Sequence, residues 1–122
     1  QRTRLEKPPL VTTAVQQEMD FAHQYFHEHY NEPINIEEYA QSRHTSISLF
    51  MRNFKKVYGV SPKQYILNIR MNNAQNLLES TDYTVAEIAA IVGYDNALYF
   101  SRIYHKQKGQ APSDYRKKMK EQ

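Results

Sequence analysis

The chain has 122 residues, no cysteine, and sixteen Lys and Arg against thirteen Asp and Glu, which gives a net charge of +3. This length suits one ordinary domain that can bury a core without disulfides. The absence of cysteine excludes a disulfide scaffold, a thiolate zinc site and a cysteine nucleophile. The longest apolar run, residues 88–92, is far too short for a membrane span, and no signal peptide opens the chain. We therefore expect a soluble, cytoplasmic protein without membrane contact.

Charge is distributed unevenly along the sequence. Residues 1–40 carry three basic and seven acidic side chains, whereas residues 41–122 carry thirteen basic and six acidic ones. A basic half of this kind favours a polyanionic partner. The composition, with three Gly and five Pro, favours helices over strands.

Seven helical segments are predicted, and no segment has the alternation of a strand. Their expected bounds are about 14–30, 36–43, 47–58, 61–80, 84–93, 97–108 and 112–118. Residues 1–13 carry charges and a Pro-Pro pair without periodicity, which indicates a linker or a disordered arm. The expected parts are this arm, a first subdomain (14–60), a linker helix (61–80), a second subdomain (81–119) and a tail (120–122). Because the chain starts at Gln, we expect a fragment of a longer protein.

Capping residues mark the ends of these segments. A side-chain oxygen before a helix accepts a hydrogen bond from a free backbone N–H of the first turn. The predicted N-terminal caps are Thr13 (with Gln16), Asn35, Ser46, Ser61, Thr84 (with Glu87) and Asn96. Gly59, Gly93 and Gly109 are predicted to end the third, fifth and sixth helices. The last helix starts at Pro112 behind Ala111, which has no oxygen to offer, so its start is weaker.

The second and third segments recur as the fifth and sixth. At an offset of 49, the residues Asn35, Ile36, Glu38 and Ala40 align with Thr84, Val85, Glu87 and Ala89. At an offset of 50, the residues Phe50, Arg52, Phe54, Lys56, Gly59, Pro62 and Tyr65 align with Phe100, Arg102, Tyr104, Lys106, Gly109, Pro112 and Tyr115. The one-residue slip lies between Ala40 and Phe50, where a turn is expected, and turns accept insertions.

Each copy is a short helix, a turn of three or four residues and a longer helix. This is the helix-turn-helix plan, in which the second helix enters a major groove. The inward faces of the two longer helices are Phe50, Phe54 and Val57 in the first copy and Phe100, Ile103 and Tyr104 in the second. The outward faces are Ile47, Ser48, Met51, Arg52 and Lys55, and Ala97, Leu98, Ser101, Arg102 and His105.

With these motifs the sequence resembles the DNA-binding domain of the AraC/XylS family of bacterial transcription regulators, over about residues 15–118. The most specific stretch is Val85-x-x-Ile88-Ala89-x-x-x-Gly93-Tyr94-x-x-x-x-Tyr99-Phe100-Ser101-Arg102, continued by Tyr104, Lys106, Gly109 and Pro112. The pattern Arg70-Met71-x-x-Ala74-x-x-Leu77-Leu78 matches the linker helix of the family.

The resemblance implies an all-α, homeodomain-like fold in which two tandem helix-turn-helix subdomains are joined by a long linker helix. It implies sequence-specific binding of double-stranded DNA, with two recognition helices in adjacent major grooves, and transcription regulation, usually activation through RNA polymerase. A linker helix of about 20 residues is about 30 Å long, close to the 34 Å between successive major grooves. No cofactor or metal is expected. We expect the chain to be monomeric, with any dimerisation or effector domain outside it.

Base contacts select the DNA sequence, whereas phosphate contacts supply much of the affinity. By resemblance, the base-contacting positions are Ile47, Ser48, Met51, Arg52, Asn96, Ala97, Leu98, Tyr99, Ser101 and Arg102. The phosphate candidates are Lys55, Lys56, Lys63 and Lys106. For Arg52 and Arg102, the alternatives to base contact are a surface ion pair or a phosphate contact.

The chain departs from the family pattern in two places. Family members often have Leu-Gly in the first turn, where this chain has Arg43-His44, and His in a left-handed conformation predicts slight strain. Ile47, Met51 and Leu98 are apolar at positions that are often polar. Since apolar side chains contact the thymine methyl group but cannot hydrogen-bond a base edge, we expect a preference for T-containing steps and for DNA shape.

The sequence gives less support to three other functions, which are metal binding, catalysis and protein–protein interaction. His23 and His27 are four residues apart with His29 nearby, a spacing that can bind zinc. The sequence has no HExxH motif, however, and no obvious third ligand. No acid–base pair stands at a defined spacing, so we expect no catalysis. The main alternative is a helical protein–protein interaction module without DNA binding, which would leave the duplicated basic face unexplained.

Overall fold

A computed structural model of the chain describes residues 12–121. The helices in this range are α1 (Thr13–His29), α2 (Ile36–Ser42), α3 (Ile47–Tyr58), α4 (Pro62–Ser80), α5 (Val85–Ile91), α6 (Ala97–Lys108) and α7 (Pro112–Lys120). The predicted all-α fold of seven helices is confirmed for the described range, which contains no strand. No helix in that range is both long and apolar enough to cross a membrane. Most of the predicted arm, residues 1–11, and the last residue of the predicted tail lie outside the described residues.

The helix ends follow the predicted caps with one exception. The backbone N–H of Val15 donates to the Thr12 hydroxyl at 3.1 Å, so α1 is capped one residue earlier than the predicted Thr13. Thr84 and Glu87 form the complete predicted capping box at the start of α5. The final helix continues to Lys120, two residues beyond its predicted end, because no glycine or proline follows Lys118 to stop it.

The chain divides into two compact units. Among the described residues, the first comprises those up to Glu28 together with Asn35–Gln64, and thus α1, α2, α3 and the first residues of α4. The second comprises His29–Ile34 and the chain from Tyr65 onward. The short connector 29–34, between α1 and α2, therefore belongs to the second unit. Each unit contains one copy of the repeated helix pair.

Aromatic side chains form the core of the first unit. Phe26 of α1 lies 6.4 Å from Phe50 and 5.5 Å from Phe54 between ring centroids, and all three are fully buried. Tyr39 of α2 packs against the same rings, 5.8 Å from Phe26 and 5.5 Å from Phe50. Burying a phenylalanine contributes about 1.5–3 kcal/mol, so these contacts hold α3 against α1 and α2.

Aliphatic residues dominate the core of the second unit. Its buried residues are Met71, Ala74, Leu78, Ile88, Ala89, Val92, Phe100 and Tyr104. The first three form an apolar stripe along α4, spaced three and four residues apart, and the others come from α5, the turn that follows it, and α6. Val57 and Ile103, which were predicted to face inward, are half-buried. The inward faces predicted for α3 and α6 are thus confirmed by burial.

Within residues 12–121, one buried side-chain polar atom has no hydrogen-bond partner, and it is the Tyr104 hydroxyl. Its burial raises the pKa of Tyr104 to about 12, so the phenol stays neutral at physiological pH. Phe54 occupies the equivalent position in the first unit. Burying a hydroxyl without a partner costs about 1–3 kcal/mol, and phenylalanine would avoid that cost.

We expect Tyr104→Phe to leave the free energy of unfolding unchanged or to raise it by up to about 1 kcal/mol. Urea unfolding monitored by circular dichroism measures the change, and Tyr115→Phe is the comparison. Tyr115 donates a hydrogen bond to Glu79, so its loss removes a made bond and should lower stability. A Tyr104→Phe variant clearly less stable than the parent would contradict the assignment of an unsatisfied hydroxyl.

Candidate nucleic-acid interface

The turn between α2 and α3 has the geometry of a helix-ending motif. The backbone N–H of Thr45 donates to the Ala40 carbonyl at 3.1 Å, and that of His44 donates to Gln41 at 3.0 Å. Together these bonds form a Schellman motif, in which the residue just after the helix cap, here the first of the two donors, is left-handed. His44 takes that conformation with φ of 60°. The left-handed histidine predicted for this turn is confirmed.

We expect His44→Gly to raise the free energy of unfolding by about 0.5–1 kcal/mol. A left-handed conformation costs a non-glycine residue about 1–2 kcal/mol, part of which is offset by the greater entropy of glycine in the unfolded chain. Thermal unfolding measures the change. His44→Ala is the control, because it removes the ring but keeps the strained backbone. Equal stability of the two variants would argue against strain at this position.

The turn between α5 and α6 repeats this geometry with one extra residue. The backbone N–H of Tyr94 donates to the Ala89 carbonyl at 2.8 Å, and that of Gly93 donates to Ala90 at 3.1 Å. Gly93 is the left-handed residue, with φ of 108°. Five residues, 92–96, separate α5 from α6, whereas four, 43–46, separate α2 from α3. This accounts for the one-residue slip in the repeat.

Helix α3 presents one buried and one exposed side. Phe50 and Phe54 are buried, while Ser48, Met51 and Arg52 of the predicted contact set are exposed. Ile47, at the first residue of the helix, is half-buried. Ser46 caps the helix by accepting the N–H of Leu49 at 3.1 Å. The first turn of α3 is therefore fixed in place beside an exposed surface that combines a hydroxyl, a thioether and a guanidinium.

Helix α6 has the same division. Phe100 and Tyr104 are fully buried, whereas Leu98 and Tyr99 are 63% and 56% exposed, the largest exposures among the bulky hydrophobic residues described. Arg102 is exposed as well. Ala97 and Ser101 are half-buried, and Ala97 packs against the core. Of the predicted contact set on this helix, these two offer the least surface.

Asn96, which is predicted to contact a base, also has a structural role. Its side-chain oxygen accepts the backbone N–H of Tyr99 at 2.9 Å and caps α6. The amide nitrogen of the same side chain is a donor that the cap does not use. Asn96 can therefore hold the helix start and donate to an acceptor in front of it at the same time.

Leu49 is an exposed residue of this surface that the sequence analysis did not select. It lies in the first turn of α3 with 42% of its surface exposed. The repeat offset of 50 aligns it with Tyr99, which was predicted to contact bases. Applying the repeat to every selected position would have identified Leu49.

In the part of the chain that the structure describes, no carboxylate pairs with a cation of α3 or α6. Within residues 12–121, the ion pairs join Glu18 with Arg43, Glu32 with His29 and Asp82 with Lys120, and none involves Arg52 or Arg102. Among the described residues, neither arginine forms the surface ion pair that was considered for it. The predicted phosphate candidates Lys55, Lys56, Lys63 and Lys106 are all exposed.

Carboxylates of α1 are engaged elsewhere. The Arg43 guanidinium donates to both oxygens of Glu18, at 2.5 and 3.0 Å, and lowers the pKa of that carboxyl. The Tyr58 hydroxyl donates to Asp20 at 2.5 Å and likewise lowers its pKa. Both groups therefore stay ionised at neutral pH, held by their own partners rather than by the cations on the outward face of α3.

The histidines considered as metal ligands make aromatic contacts. The rings of His23 and His27 lie 4.5 Å apart, and His23 stacks on Tyr58 at 5.1 Å. No group of three or more His, Asp or Glu side chains in the described part of the chain is arranged to hold a metal ion. The pKa of His27 is lowered, first by burial and then by the neighbouring His23.

Comparison with known proteins identifies the family. The profile of the helix-turn-helix domain family matches residues 39–118. The MmsAB operon regulatory protein of Pseudomonas aeruginosa is 34% identical over 104 residues, covering 85% of this chain and 34% of that protein. The chain thus spans about a third of the length of this curated relative.

Two solved structures are similar to this chain in both fold and sequence. The C-terminal domain of AraT, a response regulator from Geobacillus stearothermophilus, has a TM-score of 0.77 at 32% identity, covering 89% of this chain and 88% of that one. The DNA-binding domain of AdpA, a global transcriptional factor solved in complex with a target DNA, has a TM-score of 0.74 at 30% identity, covering 80% and 88%. The family comprises DNA-binding domains of transcription regulators and is not a family of enzymes. The chain belongs to the AraC family of helix-turn-helix DNA-binding domains.

Proposed function

We propose that this domain binds double-stranded DNA sequence-specifically, with α3 and α6 in adjacent major grooves of one duplex. The observation that carries the proposal is the duplicated exposed surface. Each unit holds the second helix of its pair by a side-chain cap and a buried aromatic face. Each then exposes an arginine at the same repeat position, Arg52 or Arg102, that forms no ion pair with any residue from 12 to 121.

The proposed contacts follow the exposed surface. We assign base contacts to Ile47, Ser48, Met51, Arg52, Asn96, Ala97, Leu98, Tyr99, Ser101 and Arg102, and phosphate contacts to Lys55, Lys56, Lys63 and Lys106. Arginine is suited to guanine because its two donors match the O6 and N7 acceptors. Lysine is a mobile point charge and suits phosphate oxygens. The three half-buried residues Ile47, Ala97 and Ser101 contact bases only through the part of each side chain that remains exposed.

The domain acts, in this proposal, as part of a longer bacterial transcription regulator. Activation through contact with RNA polymerase is the usual route in the family, and we propose it for the whole protein. Because bacterial chromosomal DNA lies in the cytoplasm, the proposal places the protein there. The isolated domain is proposed to bind as a monomer, since it already contains two recognition helices.

Selection of this domain from random duplex DNA at moderate salt tests the proposal. We expect an asymmetric motif in two blocks about one helical turn apart. Affinity should fall steeply with salt, because phosphate contacts release counterions. Absence of duplex-dependent binding even at low salt would overturn the proposal in favour of a protein–protein interaction module. A single block would overturn the assignment of base contacts to both helices.

Exposed apolar residues predict part of the preferred sequence. Leu98 and Met51 are 63% and 43% exposed on the proposed contact surfaces. We expect replacement of T by C at the selected steps to weaken binding, because cytosine lacks the methyl group that these side chains contact. Competition between the two duplexes measures the difference. Equal binding of both would contradict the thymine preference.

A further inference from the structure

Arg70 of α4 joins two segments that are distant in sequence. Its Nε donates to the Tyr30 carbonyl at 2.7 Å, and its Nη2 donates to the Glu32 carbonyl at 3.0 Å. Both carbonyls belong to the connector 29–34, which is part of the second unit. The guanidinium fork is thereby held in one orientation, because two donors with fixed geometry meet two fixed backbone acceptors.

The same guanidinium also contacts the turn before α6. Its Cζ lies 5.0 Å from the centroid of the Tyr94 ring, a cation–π distance. A Cβ at Gly93 would lie 3.1 Å from this Cζ and 3.1 Å from the Asn31 carbonyl oxygen. The backbone of the turn therefore lies directly against both Arg70 and the connector.

The position of this turn determines the position of the first residues of α6. Tyr94 packs against Phe100 and Tyr99, with ring centroids 5.8 and 6.0 Å apart. Two residues after Tyr94, Asn96 caps the helix. A movement of Tyr94 would therefore displace the N-terminal turn of α6, which carries the proposed base contacts of the second unit.

We propose that Arg70 is a positioning residue for DNA recognition by α6. It touches no base in this assignment, and it acts by fixing the turn that holds the recognition helix. The inference rests on the proposed function, since it assigns a base-contacting role to α6. It predicts that a variant without Arg70 has an altered base preference. A change in the folded fraction alone would not produce this result.

Arg116 of α7 provides a matched control. Its guanidinium donates to the Leu78 carbonyl at the end of α4 at 3.1 Å, and to the Tyr83 and Thr81 carbonyls in the segment that joins α4 to α5 at 2.5 and 3.2 Å. Arg116 thus stabilises a connector in the same manner and in the same unit. None of these bonds reaches the turn between α5 and α6.

The test compares affinity ratios in Arg70→Met and Arg116→Met, with circular dichroism to confirm folding. For each variant, the affinity for the selected duplex is divided by that for duplexes with one base pair changed. This ratio does not depend on the folded fraction, because both duplexes bind the same folded molecules. We expect Arg70→Met to lower the ratio by about tenfold at the block that Arg102→Ala identifies as that of α6, which corresponds to about 1.4 kcal/mol. The ratio at the other block, and all ratios of Arg116→Met, should stay unchanged.

Unchanged ratios in Arg70→Met would overturn the inference, and so would an equal loss of discrimination in Arg116→Met. A uniform loss of affinity with a lower salt slope would also overturn it, because Arg70 would then be a phosphate contact. If Arg70→Met does not fold, Tyr94→Leu removes the ring under the guanidinium and permits the same comparison. In all these cases the parent domain still selects a DNA motif, whereas failure of the proposed function would leave no motif to compare.

Discussion

Replacing Arg102 with alanine is expected to weaken binding to the selected duplex by about 1–3 kcal/mol, a factor of about 5 to 150. Each residue turns a helix by about 100°, so Arg102 lies on the opposite side of α6 from the buried Phe100 and Tyr104. Its guanidinium is exposed and forms no ion pair within residues 12–121. Base contact by this side chain would be lost without disturbing the core.

The change in sequence preference distinguishes a base contact from a phosphate contact. We expect Arg102→Ala to lose discrimination at about one base pair, measured by repeating the selection with the variant. Lys56→Ala is the control, because an exposed lysine proposed to contact phosphate should weaken all duplexes alike and reduce the salt slope by about one. If Arg102→Ala retained both affinity and preference, its base-contacting role would be refuted.

Replacing Gly93 with alanine is expected to lower the free energy of unfolding by about 2–4 kcal/mol. The φ of 108° at this residue is a conformation that side chains other than glycine rarely adopt, at a cost of about 1–3 kcal/mol. The added Cβ would also lie 3.1 Å from both the Arg70 Cζ and the Asn31 carbonyl oxygen. The carbonyl belongs to the backbone, so relief of this contact requires the turn or the connector to move.

Gly109→Ala separates the two causes in the same unit. Gly109 ends α6 with φ of 88°, but no atom lies within 4 Å of the Cβ position there. Its substitution should therefore cost only the backbone strain, about 1 kcal/mol. Chemical unfolding of both variants measures the difference. Equal losses at the two glycines would show that the crowding at Gly93 has no energetic consequence.

The helices were predictable because their signals are local. A cap such as Thr84 and its partner Glu87 are three residues apart, and the apolar stripe of α4 repeats within one turn of the helix. The single missed cap at α1 follows from two consecutive threonines, either of which has the required hydroxyl. Sequence alone cannot choose between them, since the choice depends on where the first helical turn starts to form.

The candidate interface was predictable in its position but not in every member. The repeat and the buried aromatic residues fix which side of α3 and α6 is exposed. They do not determine how much of each side chain remains accessible. Ala97 packs against the core and is half-buried, whereas Leu49 was not selected and is 42% exposed. Such differences arise from packing between elements, which the periodicity of one helix does not describe.

The sequence by itself determined the all-α class and the duplicated helix pair, because capping, periodicity and a repeat of 49 to 50 residues are all visible along the chain. Its motifs also carried the resemblance to the family. Only the tertiary structure decided what Arg70 does. Its two carbonyl partners lie 40 and 38 residues away, and its guanidinium also lies over the Tyr94 ring, 24 residues away. Backbone carbonyls are chemically the same at every residue, so no pattern in the side chains indicates which of them an arginine will bind. Folding alone brings these groups together.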